Sequence, residues 1–71
     1  MWCEHTVFEV EWAKHWTEAP GQALLYRAHG EGRKGGVILL MRDKPTEILY
    51  YMRCAIVCAD AGLILRTWDT R

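Results

Sequence analysis

The stretch EVEWAKHWTEAPGQALLY, residues 9–26, sets the fold of this chain because its apolar period changes midway. Its first part completes a strict alternation over residues 2–12, which is typical of a long β-strand. From Thr17 onward the period becomes helical, with Thr17 as the expected N-cap and Pro20 tolerated in the first turn. The pattern therefore predicts a strand over residues 2–12 and a helix that ends near His29.

The rest of the chain contains two more predicted strands and a second helix. Glycines surround two basic residues over 30–36, which predicts a turn, and the apolar run VILLM at 37–41 predicts a strand covered on both sides. Asp43 and the Lys-Pro pair after it mark a helix start, and Gly62 predicts its end. The segment LILRTWD at 63–69 predicts the last strand.

These elements follow the order strand, helix, strand, helix, strand. Helical crossovers of this length normally join parallel strands. We therefore expect one α/β domain over residues 1–71, with a β-α-β-α-β core and a small, mainly parallel, three-stranded sheet.

The composition favours a protein that associates with copies of itself. A domain of 71 residues buries only about 60% of its unfolded surface, so its core is marginal. The chain is nonetheless 51% hydrophobic and contains four Trp residues. Its nine basic and nine acidic residues cancel, so no global charge indicates a nucleic-acid or membrane partner. A neutral total is still compatible with a local patch of positive charge.

The predicted second helix carries apolar residues on two opposite sides. One stripe consists of Ile48, Met52, Ala55, Ile56 and Ala59, and the other of Tyr50, Cys54, Val57, Cys58 and Ala61. A helix of this kind is buried twice, once by its own sheet and once by another chain. We expect a homo-oligomer, with a dimer favoured, formed through this helix.

The three cysteines indicate a reducing compartment. Their number is odd and no secretory segment precedes them, so we expect a cytoplasmic protein without disulfides. The longest nearly uncharged stretch, residues 48–65, contains Arg53 and Asp60, so no membrane span is predicted.

Charged and polar residues gather where the first strand meets the first helix. Glu9 and Glu11 are two residues apart, so both carboxylates project from one face of the strand, close enough to share a cation. Lys14 follows the strand. A polar stripe that recurs every four residues starts at the same end of the helix and consists of Glu18, Gln22 and Tyr26. Two interpretations stay open: one groove lined by all of these residues, or a solvated strand edge beside an ordinary ion pair.

The segments EVEWAKHWTEAPGQALLYRA, GRKGGVILLM and LILRTWD, taken in order, resemble the core of the PD-(D/E)XK nuclease-like superfamily over most of the chain. In the branch similar to the RecB and lambda exonucleases, a Gln-x-x-x-Tyr pair lies on the helix after the catalytic strand, matched here by Gln22 and Tyr26. Glu9 matches the metal-binding acid, Glu11 stands where the catalytic lysine is usual, and Lys14 takes the place of a displaced lysine. The resemblance implies a truncated restriction-endonuclease-like fold.

The resemblance implies a minimal nuclease-like domain. In the family, acids hold Mg²⁺ or Mn²⁺, the metal activates water for cleavage of DNA phosphodiesters, and the lysine assists electrostatically. Glu18 fits the acidic residue often seen in the helix, and with Gln22 and Tyr26 it is expected to face nucleic acid. The basic pair Arg33 and Lys34 is expected to contact phosphate, with a solvated loop as the alternative.

The family takes a further aspartate from an upstream strand, for which we expect no room before the strand that carries Glu9. Either another chain supplies this aspartate, or the domain has lost catalysis and serves as a homo-oligomeric assembly or protein-binding module. Family members act in DNA repair, restriction, recombination and mobile elements, including phage.

Overall fold

The computed structural model describes residues 5–29 and 33–70, apart from the side chain of Lys44. The elements along the chain are β1 (Thr6–Trp12), a 3-10 segment (Ala13–Glu18), α1 (Ala19–His29), β2 (Lys34–Met41), α2 (Lys44–Ala61) and β3 (Ile64–Asp69). The strands form one parallel sheet in the order β1-β2-β3, which confirms the predicted β-α-β-α-β fold. Within these residues no helix is both long and apolar enough to span a membrane.

One face of the sheet carries the core. The odd-numbered strand residues share this face, because the register pairs Glu9 with Val37 and Val37 with Leu65. Val37 and Leu39 are fully buried there. The helix residues in the same core cluster are Ala19, Ala23, Cys54 and Cys58. Both helices therefore pack on one side of the sheet, which we call the covered face.

The chain winds earlier than predicted after β1, so the expectation that Thr17 caps the first helix is wrong. The six residues that follow the strand form the 3-10 segment, and Thr17 lies inside it. Ala13 is fully buried, and His15 has non-helical angles (φ −111°, ψ 25°) that interrupt the winding. Because the buried Ala13 directly follows the strand, the chain already turns onto the covered face before Thr17. The predicted helix end at His29 is confirmed.

β2 begins at Lys34, ahead of the apolar run, so Gly35 and Gly36 belong to a strand and not to the predicted turn. Both glycines are buried, and their neighbours approach closely. A Cβ on Gly35 would lie 3.0 Å from the carbonyl oxygen of Ala23, and one on Gly36 would lie 2.6 Å from Cε1 of Phe8. The absence of side chains lets α1 press onto one face of β2 and the Phe8 ring onto the other.

α2 begins and ends where the sequence predicts. The backbone N–H groups of Arg42 and Asp43 donate to Oε1 of Glu47 at 2.6 and 2.8 Å, and Glu47 is only 8% exposed. A buried carboxylate with two backbone donors thus ties the first turn of α2 to the end of β2. Gly62 stops the helix with a left-handed backbone (φ 70°).

The thiols of Cys54 and Cys58 lie in the core, with their Sγ atoms 3.7 Å apart. Desolvation by burial raises the pKa of Cys54 to about 12, and burial likewise raises the pKa of Cys58. Both thiols stay protonated at neutral pH, so they act as small packing residues and not as nucleophiles.

Two apolar surfaces remain outside the core, on opposite sides of the molecule. The first, which we call the outer stripe, faces away from the sheet on α2 and consists of Ile48, Leu49, Met52 and Ile56. The second, which we call the open face, is the side of the sheet on which no helix of residues 5–29 and 33–70 packs. Its apolar residues occupy even-numbered strand positions and are Phe8, Val10, Trp12, Ile38, Leu40, Ile64 and Trp68.

Candidate functional site

The two glutamates of the predicted site lie on the covered face of an edge strand. Glu9 is level with Val37 and Glu11 with Leu39, and both carboxylate side chains are half-buried. Oε1 of Glu11 accepts a hydrogen bond from the backbone N–H of Trp12 at 2.9 Å. The strand therefore places two carboxylates two residues apart on the side where the helices pack, as the alternation predicts.

Lys14 and Glu18 sit on the 3-10 segment and are exposed to solvent. Glu18 is 68% exposed, and its Oε2 lies 3.9 Å from Nδ1 of His15, a distance that makes an ion pair when the histidine is protonated. Lys14 forms no ion pair with Glu9 or Glu11 in the part of the chain that the structure describes. The displaced-lysine role of Lys14 stays a prediction.

Gln22 and Tyr26 lie one turn apart on α1, with Gln22 exposed and Tyr26 half-buried. Glu18 is the last residue of the 3-10 segment, directly before α1 and four residues before Gln22. Of the predicted polar stripe, Gln22 and Tyr26 lie on α1 itself and Glu18 lies just before its first residue.

The predicted basic turn is split between elements. Residues 30–32 lie outside the described residues, Arg33 is half-buried just before β2, and Lys34 is the exposed first residue of β2. The backbone N–H of Lys34 donates to the carbonyl of His5 at 2.8 Å. By its register with Thr6, Lys34 belongs to the open face, so the sheet separates it from Glu9 and Glu11.

A metal ion at this place would have Glu9 and Glu11 as its protein ligands. Over residues 5–29 and 33–70, no group of three His, Cys, Asp or Glu side chains is arranged to hold a metal ion. Mg²⁺ is commonly held by one or two carboxylates together with water and substrate phosphates, so two glutamates suffice for its protein ligands.

The sequence interpretation missed two features of the structure. Arg53 and Asp60 flank the outer stripe on the same side of α2, which their seven-residue spacing would have revealed. The open face was also missed, because alternation along a strand shows that two faces differ but not which face the helices cover.

Comparison with protein-family models, with curated proteins and with solved structures returned no match. The nuclease-like resemblance therefore rests on the sequence motifs alone. The fold and the site define a two-layer α/β domain with a half-buried glutamate pair and two uncovered apolar surfaces.

Proposed function

We propose that this chain is a homo-oligomeric assembly module in which α2 packs antiparallel against α2 of a second copy. The outer stripe is the observation that carries the proposal. Ile48 is 45% exposed, Leu49 56%, Met52 54% and Ile56 71%, although all four recur at helical spacing on one side of α2. A surface helix normally shows polar residues at these positions.

The size of this surface fits a self-contact. The four side chains expose roughly 400 Å² together, which is within the range of the largest apolar patches on monomers, and such patches are commonly functional. A standard protein interface buries about 800 Å² per partner, so the stripe would form about half of one. We therefore expect a reversible dimer whose population depends on the protein concentration.

Charge complementarity selects a second copy as the partner and an antiparallel arrangement. Arg53 and Asp60 are exposed on the same flank of the outer stripe, and neither forms an ion pair among the described residues. In an antiparallel pair related by a two-fold axis near Ile56, the same flanks of the two helices face each other. Arg53 of each copy then lies beside the partner's Asp60.

The test is sedimentation velocity over about 1–200 µM protein, a range in which weak, transient contacts of small area become visible. We expect the wild type to change from monomer to dimer in this range and Ile56→Asp to stay monomeric, because two aspartates would meet at the two-fold axis. Leu25→Asp is the matched control, since Leu25 is 54% exposed but lies on α1. A monomeric wild type, or a monomeric Leu25→Asp with unchanged circular dichroism, contradicts the proposal.

A charge swap tests the antiparallel arrangement. Arg53→Glu and Asp60→Arg should each weaken the dimer, because each puts like charges beside each other. The double variant should recover dimer stability close to that of the wild type. Failure of the double variant to recover would rule out this register even if the dimer itself is real.

We propose metal-dependent DNA cleavage as a second candidate function. It is supported by the half-buried pair Glu9 and Glu11 on one face of β1, together with the Gln22 and Tyr26 spacing on α1. Bound Mg²⁺ or Mn²⁺ would supply activated water and charge stabilisation there, and Glu9 and Glu11 would hold it.

Incubation with single-stranded, duplex and branched DNA, with Mg²⁺, Mn²⁺ or EDTA, tests this candidate. We expect cleavage only with the metals and its loss in Glu9→Gln. Cleavage that persists in Glu9→Gln would remove the site assignment, and the absence of cleavage under all conditions would remove the activity.

A further inference from the structure

The open face combines aromatic rings and cations with aliphatic side chains that lie between them. We propose that it binds single-stranded nucleic acid, with bases stacked on the rings and phosphates paired with the cations. The site lies across the sheet from Glu9 and Glu11 and away from the outer stripe. It is therefore independent of both functions proposed above.

Three aromatic side chains lie on the two edge strands of this face, β1 and β3. Trp12 and Trp68 flank Leu40 in one cross-strand row, because the register pairs Trp12 with Leu40 and Leu40 with Trp68. With strands about 4.8 Å apart and a rise of about 3.3 Å per residue, the backbone positions of the two Trp residues are roughly 10 Å apart, and that of Phe8 is about 13 Å back along β1. Trp68 is 65% exposed, whereas Trp12 and Phe8 are half-buried with the Phe8 ring against Gly36. These rings form a stacking platform across the sheet.

The charges of the open face complement a phosphate backbone. Lys34 and Arg66 are exposed at even-numbered positions, and Arg42 follows β2 with its Cζ 4.9 Å from the ring centroid of Trp12. No even-numbered residue of the described strands is Asp or Glu. In a chain with zero net charge, this face therefore holds a local excess of positive charge. Arg42 adds a planar guanidinium next to an indole, a pairing that also accommodates a stacked base.

A second copy fits this face poorly. A two-fold contact of open face on open face would bring the cations of both copies together, with no carboxylate at the even-numbered positions of the described strands to pair with them. The α2 pairing proposed above uses the other side of the molecule and leaves both open faces exposed. The dimer would thus present two binding sites, one on each outer side.

Fluorescence anisotropy with labelled 12-nucleotide dT and U oligomers tests the proposal, with a 12-base-pair duplex as the comparison. We expect both single strands to bind, to quench Trp emission and to bind more tightly than the duplex. Replacement of one stacked ring typically weakens binding at least about five-fold, which is the expected effect of Trp68→Ala. Arg66→Glu should also weaken binding, and the logarithm of the affinity should fall with the logarithm of salt with a slope of about −2 for three cations.

Two control variants separate this proposal from the others. Leu25→Ala removes an exposed apolar side chain away from the open face and should bind the oligomers like the wild type. Ile56→Asp should be monomeric but should bind the dT and U oligomers with the wild-type affinity per chain. The dimer proposal and the nucleic-acid proposal can therefore be disproved separately.

Three outcomes would overturn the proposal. One is the absence of wild-type binding at about 100 µM protein in low salt, where non-specific nucleic-acid contacts are already measurable. A second is wild-type affinity in both Trp68→Ala and Arg66→Glu. The third is a shift of Trp68→Ala to the monomer in sedimentation, since it would show that a second copy covers the face.

Discussion

The buried carboxylate of Glu47 is predicted to hold the junction between β2 and α2. Its Oε1 accepts the N–H groups of Arg42 and Asp43 at 2.6 and 2.8 Å, and the residue is 8% exposed. Hydrogen bonds to an ionised group contribute about 1.5–3 kcal/mol each, and a truncated acceptor leaves the donors unsatisfied. Because both donors are near the surface and regain some water, we expect Glu47→Ala to lower the free energy of unfolding by about 2–3 kcal/mol in total.

A loss of this size is large for so small a domain. The total free energy of unfolding of 71 residues is expected to be roughly 4–10 kcal/mol. The midpoint temperature should therefore fall by about 10–20 °C, since 1 kcal/mol corresponds to about 4–8 °C in this size class. Thermal and urea unfolding, followed by circular dichroism at one fixed protein concentration, measure both quantities.

Two matched variants make the test specific. Glu47→Gln keeps an oxygen acceptor and loses only the charge, so it should lower the free energy of unfolding by about 1 kcal/mol. Thr46→Ala removes the exposed 3.0 Å bond from its Oγ1 to Oδ2 of Asp43 and should cost less than about 1 kcal/mol. If Glu47→Ala and Thr46→Ala have the same free energy of unfolding, the two backbone hydrogen bonds to Glu47 do not stabilise the junction between β2 and α2, and the prediction is wrong.

Three further predictions concern the packing. Gly35→Ala should destabilise by about 2 kcal/mol in urea unfolding, because a Cβ there would lie 3.0 Å from the backbone oxygen of Ala23; an unchanged midpoint would show that α1 can shift freely. Gly62→Ala should lower the free energy of unfolding by about 1 kcal/mol, because Gly62 has a left-handed φ of 70° that a residue with a Cβ adopts at a cost. An unchanged free energy in the same assay would contradict the assignment of Gly62 as the C-terminal cap of α2. Cys54 and Cys58 should resist a thiol reagent at pH 8 until unfolding. Because the pKa of Cys54 is raised from 9.0 to about 12 in the folded state, the stability linked to this thiol is complete below pH 9 and is lost as pH rises toward 12. Replacement of both cysteines by Ala should reduce this alkaline loss, and rapid labelling of the native protein would refute their burial.

Most of the fold is predictable from local patterns. The end of α1 at His29, both ends of α2 and the parallel order of strands follow from capping residues, period changes and crossover length. The start of β2 is not predictable in this way, because Gly35 and Gly36 have the composition of a turn. Their place in β2 comes from the parallel pairing with Val7 and Phe8, and the close approach of α1 and the Phe8 ring leaves no room for side chains there.

The candidate sites also depend partly on local sequence and partly on the packing between elements. Glu9 and Glu11 share a face as the strand period requires, whereas the separation of Lys34 from them depends on the register with Thr6. The early 3-10 winding likewise places Lys14 and Glu18 before the first residue of α1, where local sequence predicted a helix from Thr17 onward. Local sequence sets spacing along one element, but positions between elements depend on how the elements pack.

The sequence alone determined the β-α-β-α-β order, the end of α1, both ends of α2 and the two-sided apolar character of α2, since each depends on spacing and end signals within the chain. Only the tertiary structure decided which side of α2 meets the sheet and which side of the sheet meets the helices. The reason is that alternation marks two faces equally, and register and packing alone choose the one that is buried. In this chain that choice puts Cys54 and Cys58 inside, and it leaves the outer stripe and the open face exposed to partners.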